Sequence, residues 1–221
     1  MRYYIVVEGA ASEKKVYPKW IPLVNANLVQ IYDLADTRDN SFYLVSGDGY
    51  PNYLGIIENA IADMNSCGNF DCLVVGVDSE DMSCKAKYDE IKELLDGKLH
   101  NAQYKIIVQH FCLETWALGN RQACRKNAQD AVLLEYKRFF DVRTSDTELL
   151  PPYKDMNRAQ FAFRYLRAML RDWYPGALYV KSRPDAITEG SYFSQIKKRF
   201  EETRHIQSFG ALLGAFKAVK E

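Results

Sequence analysis

The run CLVVGV (72–77) is apolar at every position and passes directly into Asp78-Ser79-Glu80-Asp81. An apolar segment without alternation must be covered on both faces, and that is the setting of an inner strand in a parallel sheet. Parallel neighbours need crossover connections, so helices must lie between the strands. The rest of the chain supplies both. RYYIVV (2–7) is a second, nearly unbroken apolar run and ends at Glu8-Gly9. Residues 28–32, 42–45 and 104–109 read as further strands, and ALYVK (177–181) as one more, returning to the sheet edge.

Between them lie helical patterns. One starts at Ser12 as N-cap and runs to about 24 despite Pro18 and Pro22. Another spans 52–65, with Leu54, Ile57, Ile61 and Met64 on one face, and a third spans 83–96 and closes at Gly97. Helices are also expected from Leu113, over 120–138, 157–173, 191–203 and 206–219, with a polar loop at 141–156. The fold class expected is α/β: a mostly parallel sheet flanked by helices, with a helical carboxy-terminal region. The catalytic core is expected over 1–140 and the helical region, with its returning strand, over 141–221.

Composition excludes several classes. The chain has 29 basic and 29 acidic residues and 48% hydrophobic content, which suits a packed globular protein and neither a disordered chain nor a uniformly basic one. No apolar stretch is long enough for a transmembrane helix, and the first apolar run meets Glu8 too soon for a signal peptide. Five cysteines without a CxxC pair, beside three histidines, make neither a zinc site nor a disulfide framework. The cytoplasm is the expected compartment. The charges are unevenly spread: residues 1–100 hold 9 Lys and Arg against 16 Asp and Glu, and residues 101–221 hold 20 against 13. An acidic metal pocket followed by a basic nucleic-acid surface would give this split, as would solvated helices of unlike charge.

Functional groups of parallel sheets collect at the carboxyl ends of the strands. Glu8 follows one apolar strand, and Asp78 and Glu80 follow another. Two residues apart, Asp78 and Glu80 project the same way if the strand end stays extended. Carboxylates gathered without a basic neighbour repel, and a hard divalent cation, Mg²⁺ above all, relieves that cost. Taken singly, each acid is equally a helix-capping residue.

These elements resemble the Toprim domain of topoisomerases, primases, maturases and OLD-type nucleases. The matching segments are VVEGAASE (6–13) and VVGVDSED (74–81), with Asp78-x-Glu80 where the family usually has Asp-x-Asp. HFCLETWALG (110–119) resembles the Glu-x-Trp element of small defence-associated Toprim proteins such as the RloB-like group, and HIQSFGALLGAF (205–216) resembles their terminal helix. The resemblance covers about residues 1–119. It implies an endonuclease dependent on Mg²⁺ or Mn²⁺, with Glu8, Asp78 and Glu80 at the catalytic centre and Asp81 as a further metal ligand; Glu114 is either another ligand, or a group behind the ligands, or equally an acid favoured in the first turn of its helix. It also implies a late lysine, here Lys181, that stabilises charge on the transition state; the alternative is a lysine snorkelling at a strand edge. A bacterial or phage defence setting and a separately encoded ATPase partner come with it, and a homo-oligomer is left open.

The substrate would be nucleic acid, DNA or RNA. Arg164, Arg167 and Arg171 fall at helical steps on one face, with Tyr165, Trp173 and Tyr174 nearby, and Lys197, Lys198, Arg199 and Arg204 form a second basic cluster. Arginines meet phosphates while aromatics stack on unpaired bases. The alternative reading is a solvated face. The loop SGDGYPN (46–52) matches no nucleotide-binding fingerprint and reads as a tight turn. The competing function is a non-catalytic module that binds nucleic acid or an ATPase.

Overall fold

A computed structural model describes residues 1–174, 176 and 178–218. Five strands form one parallel sheet: β1 (Tyr3–Val7), β2 (Val29–Ile31), β3 (Ser41–Ser46), β4 (Cys72–Asp78) and β5 (Gln103–Gln109), in the order β2-β3-β1-β4-β5. The two unbroken apolar runs are inner strands, as their lack of alternation requires. Val7 stands in register with Ser46 on one side and with Gly76 on the other. The Gln103 N–H bonds the Asp71 carbonyl at 3.1 Å where β4 and β5 begin. Edge strand β2 leaves Val29 exposed.

The chain divides into two compact units. The first comprises residues 1–77, 83–108 and 211–221, of which the final three lie outside the described residues. Its helices are α1 (Glu13–Val24), α2 (Asn52–Cys67) and α3 (Cys84–Leu95). One face of the sheet presents Tyr4, Val6, Leu73, Val75, Val77, Ile106 and Val108 to Ile57 and Met64 of α2 and Ile91 and Leu95 of α3. Burying each such aliphatic side chain contributes about 1.5–3 kcal/mol. On α1, the Tyr17 hydroxyl lies 2.8 Å from where a Cβ on Gly76 would stand, so glycine there lets the helix approach. Ser12 precedes α1 without capping it. Its hydroxyl donates instead to the Glu13 carboxylate at 2.7 Å.

The second unit comprises residues 78–82 and 109–210. It holds α4 (Leu113–Ala117), α5 (Ala131–Phe139), α6 (Arg158–Trp173), α7 (Asp185–Thr188) and α8 (Gly190–Thr203), and the start of α9 (Phe209–Phe216). Helix α6 opens with a reciprocal cap between Asn157 and Gln160 and buries Phe161, Tyr165, Leu166 and Met169. Phe161 meets Tyr136 of α5 edge to face at 5.0 Å.

Three expectations change. The boundary expected at 140 falls at 108/109, because the segment after β5 packs on α6, and the acidic stretch 78–82 goes with it. The helix expected over 120–138 begins only at Ala131, because the Asn120 side chain takes the N–H groups of Gln122 and Ala123 and holds a turn. Residues 178–181 add no strand to the sheet. Val180 closes a short antiparallel bridge with Arg183, and Leu178 is exposed; Ala177 lies outside the described residues. Among the described residues, no helix is long and apolar enough to cross a membrane.

Candidate functional site

Strand β4 ends at Asp78, and a tight turn follows that is tied to the end of β5. The Ser79 N–H bonds the Gln109 carbonyl at 2.9 Å, and the Ser79 hydroxyl accepts the Phe111 N–H at 2.9 Å and lies 3.2 Å from His110 Nδ1. Ser79 is fully buried as a result. Glu80 donates its N–H to the Phe111 carbonyl at 3.0 Å and takes a left-handed φ of 49°. That conformation is uncommon outside glycine, and it ends the extended alternation at Asp78. Glu80 and Asp81 are therefore exposed turn residues, and the common projection expected of Asp78 and Glu80 is lost.

What surrounds Asp78 in the second unit comes from distant sequence. Cys112 is buried, and burial pushes its thiol up, reinforced by the carboxylates of Glu114 and Asp78 and opposed by the Lys181 ammonium. Glu114, 1% exposed, accepts the Tyr179 hydroxyl at Oε1 (2.9 Å), and its Oε2 lies 3.9 Å from Lys181 Nζ. The bond from Ser79 to the Gln109 carbonyl sets Gln109 opposite Asp78 on the neighbouring strand, with both side chains on one face. Gln109 is fully buried, and among the described residues neither end of its amide has a hydrogen-bond partner; the same holds for Glu114 Oε2. Buried polar atoms left so are where ordered water or an ion belongs.

Glu8 belongs to the first unit. Its N–H bonds the Gly76 carbonyl at 2.9 Å and its carbonyl accepts the Gly49 N–H at 3.0 Å, so the loop after β3 holds it. Its carboxylate acts on the Tyr53 hydroxyl, whose pKa is raised by burial, lowered by the Lys87 ammonium and raised by Glu8 and Glu90. Lys87 is itself buried. Burial opposes its charge, but Glu90 at 3.0 Å and Tyr53 hold its pKa above the ordinary value. Glu13 is a further buried acid here: a Cβ on Gly9 would stand 2.1 Å from Glu13 Oε2, so the glycine of Glu8-Gly9 makes room for that carboxylate.

Among the described residues, no three His, Cys, Asp or Glu side chains come together as a metal-holding group. Of the candidate ligands, Glu80 and Asp81 lie on the exposed turn, whereas Glu8 and Glu114 are buried and Asp78 is half-buried. Glu114 Oε2, buried and without a hydrogen-bond partner, is the kind of single carboxylate oxygen that suits a Mg²⁺ ion keeping most of its water, since this ion needs only one or two protein carboxylates.

The basic candidates divide in the same way. Arg164, Arg167 and Arg171 line a groove of ≈ 250 Å³ with Val132, Tyr136 and Ala168. Lys197 and Lys198 pair with Glu201 and Glu202 one turn on, at 3.9 and 3.8 Å. Arg199 is not on the surface. It is 1% exposed, its guanidinium donates to the carbonyls of Val142 (2.7 Å), Ser145 and Gly119 and to His205 Nδ1, and its pKa is lowered to about 10 by burial and by Arg121. It lies three residues after buried Ile196, on the inward face of α8.

Sequence reading missed Gln109, Tyr179, Lys87 and Glu13. Gln109 alone carried a signal, as a polar residue closing an apolar strand run. The chain matches no protein-family model, and neither curated proteins nor solved structures yield a match.

Proposed function

We propose that the chain is a Toprim-like nuclease: a Mg²⁺- or Mn²⁺-dependent hydrolase of nucleic-acid phosphodiester bonds, with Asp78 and Glu114 as the residues that would hold the ion. The observation that carries the reading is the buried Glu114 carboxylate, held at one oxygen by Tyr179 and lying 3.9 Å from Lys181 Nζ at the other. When bound, the ion would supply a nucleophilic water at neutral pH and charge neutralisation at the phosphoryl oxygens. The Tyr179 hydroxyl fixes one oxygen of Glu114 and leaves the other to face the site. Gln109 offers a donor and an acceptor that can orient water. Lys181, half exposed on its turn, can meet an incoming phosphate and stabilise the charge that develops on it. A separately encoded ATPase partner and a defence setting come with the resemblance and are part of the same proposal.

That no three ligand side chains assemble among the described residues favours a second reading, a non-catalytic module that binds nucleic acid or a partner. One experiment separates the two. Purified protein is incubated with Mg²⁺, Mn²⁺ or chelator and labelled single- and double-stranded DNA and RNA. Metal-dependent cleavage that falls at least about 100-fold in Asp78→Asn and in Glu114→Gln, with melting temperature and binding retained, supports the nuclease. Binding without cleavage under every metal condition supports the module.

A further inference from the structure

Helices α5 and α6 enclose the groove of ≈ 250 Å³ in the second unit. Its floor is apolar, formed by Val132 and Ala168 with the edge of Tyr136, and Val132 is 39% exposed although it is the second residue of α5. Its rim is cationic. Arg171 is already used: its Nε donates to Asp130 Oδ2 at 2.6 Å, and Asp130 also caps α5 by accepting the Leu133 N–H. Arg164 and Arg167 have no carboxylate within ion-pair distance among the described residues. The Arg167 guanidinium lies 5.8 Å from the centre of the Phe163 ring, which steadies it without neutralising it. Two uncompensated guanidiniums, one turn apart above an apolar slot, ask for an anion attached to a flat apolar body.

Size narrows the choice. The groove lies below the roughly 300–1,000 Å³ of a drug-sized ligand site, so it admits one ring system and not a helix. In a duplex the bases are stacked and paired, and only phosphates would reach the arginines, leaving the apolar floor uncovered. An unpaired nucleotide satisfies both parts. We infer that the α5–α6 groove binds one unpaired nucleotide of a nucleic-acid strand, its base over Val132 and Ala168 and its phosphate on Arg164 and Arg167. The inference rests on the nucleic-acid reading and makes the substrate single-stranded.

The test is fluorescence anisotropy on the whole protein in chelator, with short labelled single strands of DNA and RNA. Unlabelled duplex of the same sequence, adenosine monophosphate and inorganic phosphate serve as competitors. The single strand should bind at least about tenfold tighter than duplex, because only its bases can leave the stack. Arg164→Ala with Arg167→Ala should weaken binding at least about tenfold and flatten the log-affinity against log-salt slope by about 1.4, two contacts at about 0.7 each. Val132→Glu, which places an anion on the floor and touches neither arginine, should also weaken it. Duplex competing as well as single strand would overturn the inference. So would unchanged binding in both variants with their melts intact, or displacement by phosphate or mononucleotide at matched concentration. Metal-dependent cleavage of duplex without single-strand preference would sink this inference and leave the nuclease reading standing. Single-strand binding without any cleavage would do the reverse.

Discussion

The Tyr179 hydroxyl donates to Oε1 of Glu114 at 2.9 Å, joining two side chains that are 65 residues apart in sequence and each 1% exposed. A buried carboxylate depends on such donors, because its other recourse is water that cannot reach it. Lys181, at 3.9 Å from the second oxygen, is too far to replace the bond. Tyr179→Phe keeps the ring and removes only the donor. It should lower unfolding free energy by about 1.5–3 kcal/mol, the range for a hydrogen bond to a charged group. Urea denaturation would show this, and a midpoint equal to the parent's would mean that the Glu114 carboxylate draws nothing from Tyr179.

Arg199 gives a prediction of the opposite kind for a residue that sequence places on a basic surface. Its guanidinium satisfies three carbonyls, Gly119 of one loop and Val142 and Ser145 of another. Arg199→Ala would leave those carbonyls buried without donors, at about 1–3 kcal/mol each, and should cost at least about 3 kcal/mol in all. Affinity for nucleic acid, measured below the variant's melting temperature, should not change. A loss of affinity with stability intact would return Arg199 to the binding surface.

Arg199 and Asp78 show how far the sequence could be read. The sheet was legible because burial on both faces leaves unbroken apolar runs, and Tyr3–Val7 and Cys72–Asp78 are such runs. The acids were legible as types at strand ends. Their grouping was not. Whether Glu80 continues the strand or turns away depends on the Ser79 hydroxyl meeting the Phe111 N–H, a contact 32 residues away in sequence. Likewise, one helical turn decides whether a basic residue of α8 faces solvent, as Lys197 and Lys198 do, or the carbonyls of other loops.

The burial of His110 and His205 predicts a pH response. His110 has its pKa lowered, first by burial and then by Arg158, with Asp146 opposing; His205 is lowered by burial and by Arg199. A histidine whose folded pKa lies below its unfolded value takes up its proton more readily when unfolded. Its stabilising contribution is complete above about pH 6.5 and is lost as pH falls below that value, until the folded pKa is passed. Each such group adds at most about 1.4 kcal/mol per pH unit to that loss. The parent should therefore lose stability between about pH 6.5 and 5, and His110→Gln should lose less over the same interval. Parallel curves for parent and variant in urea titrations would show that His110 is not a source of the slope.

The last prediction concerns Gly9. Its φ is not in the left-handed region, so the backbone would accept another residue; the space would not. A methyl at Gly9 would stand 2.1 Å from Glu13 Oε2 and 2.7 Å from its carboxyl carbon, and the Ser12 hydroxyl holds that carboxylate in place at 2.7 Å. Gly9→Ala should therefore cost about 1–3 kcal/mol, the usual range for overpacking, because the carboxylate it meets is buried. Glu13→Ala removes the obstacle but also the bond to Ser12, so it carries a cost of its own. In a double-mutant cycle the two costs should fall short of additivity: the double variant should be more stable than their sum predicts by at least about 0.5 kcal/mol. Additive costs would mean that the Glu13 carboxylate swings aside freely, and the glycine after Glu8 would then need another explanation than the room it leaves for Glu13.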